Sequence, residues 1–117
     1  MTPEGMILDA VLDYLAAEHI TAFRCNTGAV KIDERFVRFG TPGFSDILAV
    51  VTVSGKFKGF PVQWVEPFFL ECKSEKGRQS AEQRSFERQV KDAGAQYFIV
   101  RSVDELEEIL RKHGVRK

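Results

Sequence analysis

The sequence predicts a single α/β domain, a small mixed β-sheet flanked by helices. Apolar residues recur at helical spacing near the start, as Ile7, Leu8, Val11, Leu12 and Leu15. Short apolar runs, such as residues 47–51 and 68–70, have the length and the branched or aromatic content of strands. A strand, a capped helix and another strand then follow one another from Phe68 to Val100, the pattern of a β-α-β unit with parallel strands. At 117 residues the chain has room for one core and not for two, so residues 1–117 are expected to form one domain.

Thr2-Pro3 starts the first helix, with Thr2 as cap and Pro3 at the first helical position, and the helix runs to about Ala17. Residues 21–25 read as a short strand, Asn26-Thr27-Gly28 as a turn and residues 35–39 as a second strand. The loop 40–46, with two glycines and a proline, delivers Asp46 to the head of a strand running to about Val53. Residues 54–59 read as a hairpin tip, which leaves Phe57 and Phe60 partly exposed. Residues 62–65 and 68–73 read as two strands, or one bent at Pro67, because a central strand does not tolerate proline. After a polar loop, Ser80-Ala81-Glu82-Gln83 has the form of a capping box and opens a helix that stops at Gly94. Residues 96–100 are a strand, and Ser102-Val103-Asp104-Glu105 is a second capping box that opens a last helix to about Lys112.

Composition excludes several classes. With 44% apolar and 29% charged residues the chain is ordinary for a globular domain. No apolar run reaches the ~18 residues of a membrane span, and the N-terminus lacks the pattern of a signal peptide. Cys25 and Cys72 are the two cysteines, with Cys72 in a buried strand, so a disulfide framework is not expected and a reducing cytoplasm is. Seventeen basic and 17 acidic residues give zero net charge, which argues against non-specific coating of nucleic acid. The charges are nevertheless unevenly spread. Lys76, Arg78, Arg84 and Arg88 follow Lys73, whereas Asp104, Glu105, Glu107 and Glu108 gather near the end. Ten phenylalanines point to a dense core or to an apolar surface covered by a partner subunit.

The chemistry concentrates at Glu71-Cys72-Lys73. Side chains alternate along a strand, so Glu71 and Lys73 share a face and Cys72 takes the other. Charges at the end of a buried strand cost desolvation unless something specific compensates them. Asp46, at the head of another strand, supplies a second acid. Two carboxylates and the backbone carbonyl of Cys72 are oxygen donors suited to magnesium or manganese. Such an ion relieves their repulsion and serves phosphodiester hydrolysis, while Lys73 can position the water or stabilise the transition state. A Glu-x-Lys triplet alone is common and has an ordinary explanation as a surface pair; its setting gives it meaning.

Taken together, Glu4, the stretch Arg24-Cys25-Asn26-Thr27-Gly28, Gly43-Phe44-Ser45-Asp46, Phe69-Leu70-Glu71-Cys72-Lys73, Ser80-Ala81-Glu82-Gln83 and the residues from Val100 to Glu105 resemble a stand-alone virus-type replication-repair nuclease (VRR-NUC) domain of the PD-(D/E)xK superfamily. The resemblance spans nearly the whole chain. It implies a restriction-endonuclease-like core in the order α-β-β-β-α-β-α. It further implies a metal-dependent endonuclease with Asp46, Glu71 and Lys73 as the central triad and Glu4 and Gln83 as supporting polar groups. Ser45 departs from the pattern, standing where a proline often precedes the acid. DNA, in particular branched DNA such as a four-way junction, is the expected substrate, with Lys76, Arg78, Arg84 and Arg88 as its contacts. A homodimer without membrane association is the expected state, in the cytoplasm of a bacterial or phage-infected cell. Phe57, Phe60 and Trp64 are the candidate interface. Two competing readings are a catalytically silent nucleic-acid-binding module and a protein-interaction domain. Glu4 and Gln83 also have structural explanations, the helix dipole and the capping box. His19 and His113, near helix ends, read as caps or surface residues rather than ligands.

Overall fold

The computed structural model describes residues 1–25 and 28–116, and over 28–31 and 36–39 the backbone alone. Its elements are α1 (Pro3–Ala17), β1 (Thr21–Arg24), β2 (Gly28–Ile32), β3 (Arg35–Phe39), β4 (Ile47–Phe57), β5 (Phe60–Cys72), α2 (Ala81–Asp92), β6 (Gln96–Val100) and α3 (Val103–Lys112). The expected mixed α/β architecture is present: a four-stranded sheet ordered β1-β4-β5-β6, flanked by three helices. β5 and β6 are parallel, joined through α2, and the other pairs of this sheet are antiparallel.

One face of the sheet carries Ile47, Ala49, Val51 and Val53 of β4 with Phe68, Leu70 and Cys72 of β5. Val11 and Leu15 of α1 and Leu106 and Leu110 of α3 close that core. The opposite face is covered by α2. There Phe86 packs against Phe69 of β5, with ring centres 5.5 Å apart, and against Phe44 of the preceding loop at 4.6 Å. The two layers explain the alternation along β5, because each face has its own helical cover.

Two sequence expectations are corrected and a third is resolved. Residues 28–32, where the sequence predicts no strand, form β2 and pair with β3 as a separate two-stranded sheet, turning at Asp33 with φ +58°. Gly28 thus begins a strand, and Asn26 and Thr27, the rest of the expected turn, lie outside the described residues. The expected tip at 54–59 is mostly strand. β4 continues to Phe57, and the turn is only Lys58-Gly59, both with positive φ, as a type I′ hairpin requires.

The third concerns Pro67: of the two arrangements expected, the structure has the single strand, and β5 pairs with β4 without interruption through Pro67. Lys73 donates its N–H to Val100 of β6. Amide directions alternate along a strand, so Pro67 and Pro61 turn their missing donors to that same side. β6 begins pairing only at Phe68, which leaves an open edge there, the one place a sheet accepts proline. The hairpin therefore runs on past the helices as an arm. β5 alone spans about 43 Å at ~3.3 Å per residue, and the molecule measures 61 × 29 × 24 Å. On the arm Phe57 and Phe60 are 65% and 73% exposed, and Trp64 is 44% exposed.

The caps form as expected, with one difference. Thr2 accepts the Gly5 N–H, and Ser80 with Gln83 makes both bonds of the capping box. At α3 the Ser102 hydroxyl accepts the Glu105 N–H, whereas no reciprocal bond from the Glu105 side chain forms. No helix among the described residues is long and apolar enough to cross a membrane.

Candidate functional site

β5 places Glu71 and Lys73 on the α2 side of the sheet and Cys72 on the core side, as strand alternation requires. Glu71 is 1% exposed and Lys73 7%. These are the buried charges the sequence anticipated. Cys72 is fully buried, and burial, reinforced by the nearby Asp46, pushes its thiol up to about 12, so its sulfur is inert at neutral pH.

Asp46 stands at the head of β4, beside this strand end. Its Oδ2 accepts the backbone N–H of Cys72 at 2.8 Å. Its own carbonyl accepts the N–H of Cys25, just past β1, at 2.7 Å. Ser45, where the resembled pattern favours proline, is fully buried and donates its hydroxyl to the Ile47 carbonyl at 3.1 Å. A hydrogen bond thus stiffens the loop where a ring would do so otherwise. The amide and carbonyl of one strand residue point the same way, so the Cys72 carbonyl also faces the Asp46 side.

Glu4 and Gln83 flank Glu71 and Lys73. The Lys73 Nζ lies 3.7 Å from Glu71 Oε2 and 3.5 Å from Oε1 of Glu4, which the first turn of α1 brings in. The Gln83 amide donates to Glu71 Oε2 at 3.0 Å. Its orientation is fixed at the other end, where its Oε1 accepts the Ser80 N–H at 2.9 Å. The capping box of α2 and the site hydrogen bond are therefore made by one side chain. The other oxygen, Glu71 Oε1, is buried with no N–H or hydroxyl donor on it, and the Asp46 carboxyl is close enough to share a proton with Glu71.

That environment disfavours a charged Glu71. Desolvation first, then the neighbouring Asp46 carboxylate, raise its pKa to about 8, and the Lys73 ammonium only partly offsets this. A carboxyl pair that must share a proton to coexist is a place where a divalent cation can take the proton's place. Asp46, Glu71 and the Cys72 carbonyl are the donors present. No group of three or more His, Cys, Asp or Glu side chains among the described residues forms a metal centre. The donor set fits a hard, water-retaining ion such as magnesium or manganese rather than zinc.

The expected basic contacts are not part of this cluster. Lys76 and Arg78 sit on the loop after Lys73 and Arg84 and Arg88 on the outer side of α2, all exposed. Arg84 donates to the Gln79 carbonyl at 2.9 Å, and none of the four is ion-paired among the described residues. His113 caps α3, its Nδ1 lying 2.8 Å from the Ile109 carbonyl, and packs against Phe68 and Phe98. Nothing in the sequence singles out Arg101. Its Nη1 donates to the carbonyls of Ser74 and Gly77 at 2.6 and 2.9 Å and braces the loop that leaves the site. An arginine after a strand gave no signal of that role. No family model, curated protein or solved structure matches the chain.

Proposed function

We propose that the protein is a magnesium- or manganese-dependent endonuclease that hydrolyses DNA phosphodiester bonds, a stand-alone VRR-NUC-type domain with a restriction-endonuclease-like core. The observation that carries this reading is Glu71: buried, facing the Asp46 carboxyl closely enough to share a proton, and beside Lys73 at the ends of adjacent strands. Such an arrangement is costly as packing and useful as a site.

A bound magnesium or manganese ion supplies Lewis acidity and a more acidic coordinated water. Asp46, anchored by the Cys72 N–H, and Glu71, anchored by Gln83, hold their oxygens in fixed directions. Lys73 presents its ammonium beside them, where it can neutralise charge on a phosphate oxygen or orient the attacking water. Glu4 steadies Lys73 from the other side. The exposed Lys76, Arg78, Arg84 and Arg88 offer the phosphate backbone a basic approach along the loop and α2. A homodimer built on the arm residues Phe57, Phe60 and Trp64 suits a branched substrate, since two sites related by a two-fold axis cut two strands symmetrically.

The test is cleavage of single-stranded, duplex, flap and four-way-junction DNA, and of RNA, with and without magnesium or manganese. The expected result is metal-dependent cutting of branched DNA that Glu71→Gln abolishes. Equal activity of Glu71→Gln and the parent would overturn the mechanism. Salt-dependent retention of DNA without cleavage by the parent would replace it with a silent binding module.

A further inference from the structure

Gly43 lies in the loop before β4, three residues ahead of Asp46, and has φ +80°. A Cβ built there would overlap the Glu82 carbonyl and stand 2.8 Å from the Gln83 nitrogen, both in the first turn of α2. The loop backbone therefore lies directly on the helix turn that supplies Gln83. Phe44, the next residue, reinforces the joint with its ring 4.6 Å from Phe86 of α2 and 5.9 Å from Phe69 of β5. On one side of this joint Asp46 is held by Cys72, and on the other Gln83 is held by Ser80 and reaches Glu71.

We infer that Gly43 is a positioning residue of the site: its missing side chain lets the Asp46 loop and the first turn of α2 meet, and so registers Asp46 and Gln83 around Glu71. The inference deepens the nuclease reading and rests on it for activity, but the joint itself has readouts that need no activity. A side chain at Gly43 must displace backbone on one side or the other, because its nearest neighbours are main-chain atoms with no rotamer to yield. Either displacement moves one of two hydrogen bonds, Cys72 N–H to Asp46 or Gln83 amide to Glu71.

The experiment compares Gly43→Ala with Gly94→Ala. Gly94 ends the same helix at φ +95° and has nothing within 4 Å of an added Cβ, so it carries a similar backbone strain without the contact. The readouts are the Gln83 side-chain amide and Cys72 backbone amide resonances, their hydrogen exchange, and cleavage kinetics. Gly43→Ala is expected to shift both resonances, speed exchange of at least one, and lower kcat on the order of 100-fold with KM within about twofold. Gly94→Ala is expected to lose stability alone. If Gly43→Ala does not fold, Phe44→Leu loosens the same joint while keeping it apolar and is expected to shift the same two amides. Unchanged amides in the folded variant, or equal changes in Gly94→Ala, would overturn the inference. A parent protein that cuts no nucleic acid would end the nuclease reading, and the amides would still decide the role of Gly43 in the joint.

Discussion

Asp46, at the head of β4, accepts through its Oδ2 the backbone N–H of Cys72 on β5 at 2.8 Å, so the first acid of the cluster is tied to the strand that carries the second. Asp46→Asn keeps an acceptor for that N–H and removes the charge. We expect it to unfold within a few degrees of the parent and to lose at least about 100-fold in cleavage. Asp46→Ala also leaves a part-buried donor unpaired, and chemical denaturation is expected to show an added loss of about 1–3 kcal/mol. Wild-type cleavage by either variant would remove Asp46 from the chemistry.

The raised pKa of Glu71 sets the direction of a pH effect. Its folded value of about 8 lies above the ordinary value of 4.5, so between these pH values the folded state holds more protons than the unfolded one. Stability without divalent cation is therefore expected to fall as pH rises from about 5 to 8, by roughly 2–4 kcal/mol. Glu71→Gln cannot ionise and should flatten that slope in denaturant titrations. Manganese should raise the melting temperature of the parent more at pH 8 than at pH 6.

Gln83 can be separated into its two roles. Gln83→Glu retains an acceptor for the Ser80 N–H, since glutamate is itself a capping-box residue. It loses the donor to Glu71 and adds a like charge beside it. Circular dichroism should show α2 intact while the ascending limb of the pH–rate profile moves to higher pH. Gln83→Ala instead loses half of the cap and is expected to cost about 1 kcal/mol of stability.

Arg101 anchors the loop bearing Lys76 and Arg78 through the Ser74 and Gly77 carbonyls. Arg101→Ala should destabilise the fold by about 1–3 kcal/mol, and raise KM for DNA more than it lowers kcat. Arg101→Lys is expected to restore little, because an ammonium cannot reproduce the fixed fork of a guanidinium. Equal KM values in parent and alanine variant would separate the loop from substrate binding.

The arm offers a direct measurement of assembly. Phe57, Phe60 and Trp64 lie on the face that continues the core beyond the helices. Sedimentation should show a dimer that Phe57→Ser with Phe60→Ser converts to a monomer, with no change in far-ultraviolet circular dichroism. A parent that stays monomeric at every concentration would remove the homodimer.

Most elements were legible because their signals are local. Thr2-Pro3 and Ser80…Gln83 announce helix starts by satisfying free amides, and Gly94 announces a stop. Pro67 left two arrangements open because proline in a strand is judged by its neighbours, and the sequence does not show that β6 begins one residue later in register. Residues 28–32 escaped because Gly28 reads as a turn residue and Lys31 interrupts a short run, so the strand is seen only through its pairing with β3. Arg101 escaped because its partners are backbone carbonyls more than 20 residues away, which have no sequence signature.

By itself the sequence determined the helix boundaries, the β-α-β order and the common face of Glu71 and Lys73, because capping and strand alternation act over a few residues. Tertiary structure alone decided that Asp46 binds the Cys72 amide, that Gln83 spends one end on the cap and the other on Glu71, and that Gly43 is where loop and helix meet. Those outcomes depend on ångström-scale contacts between segments distant in the chain, and packing of both sheet faces sets them. The same packing leaves Glu71 buried against the Asp46 carboxyl, which makes a costly residue the centre of the site.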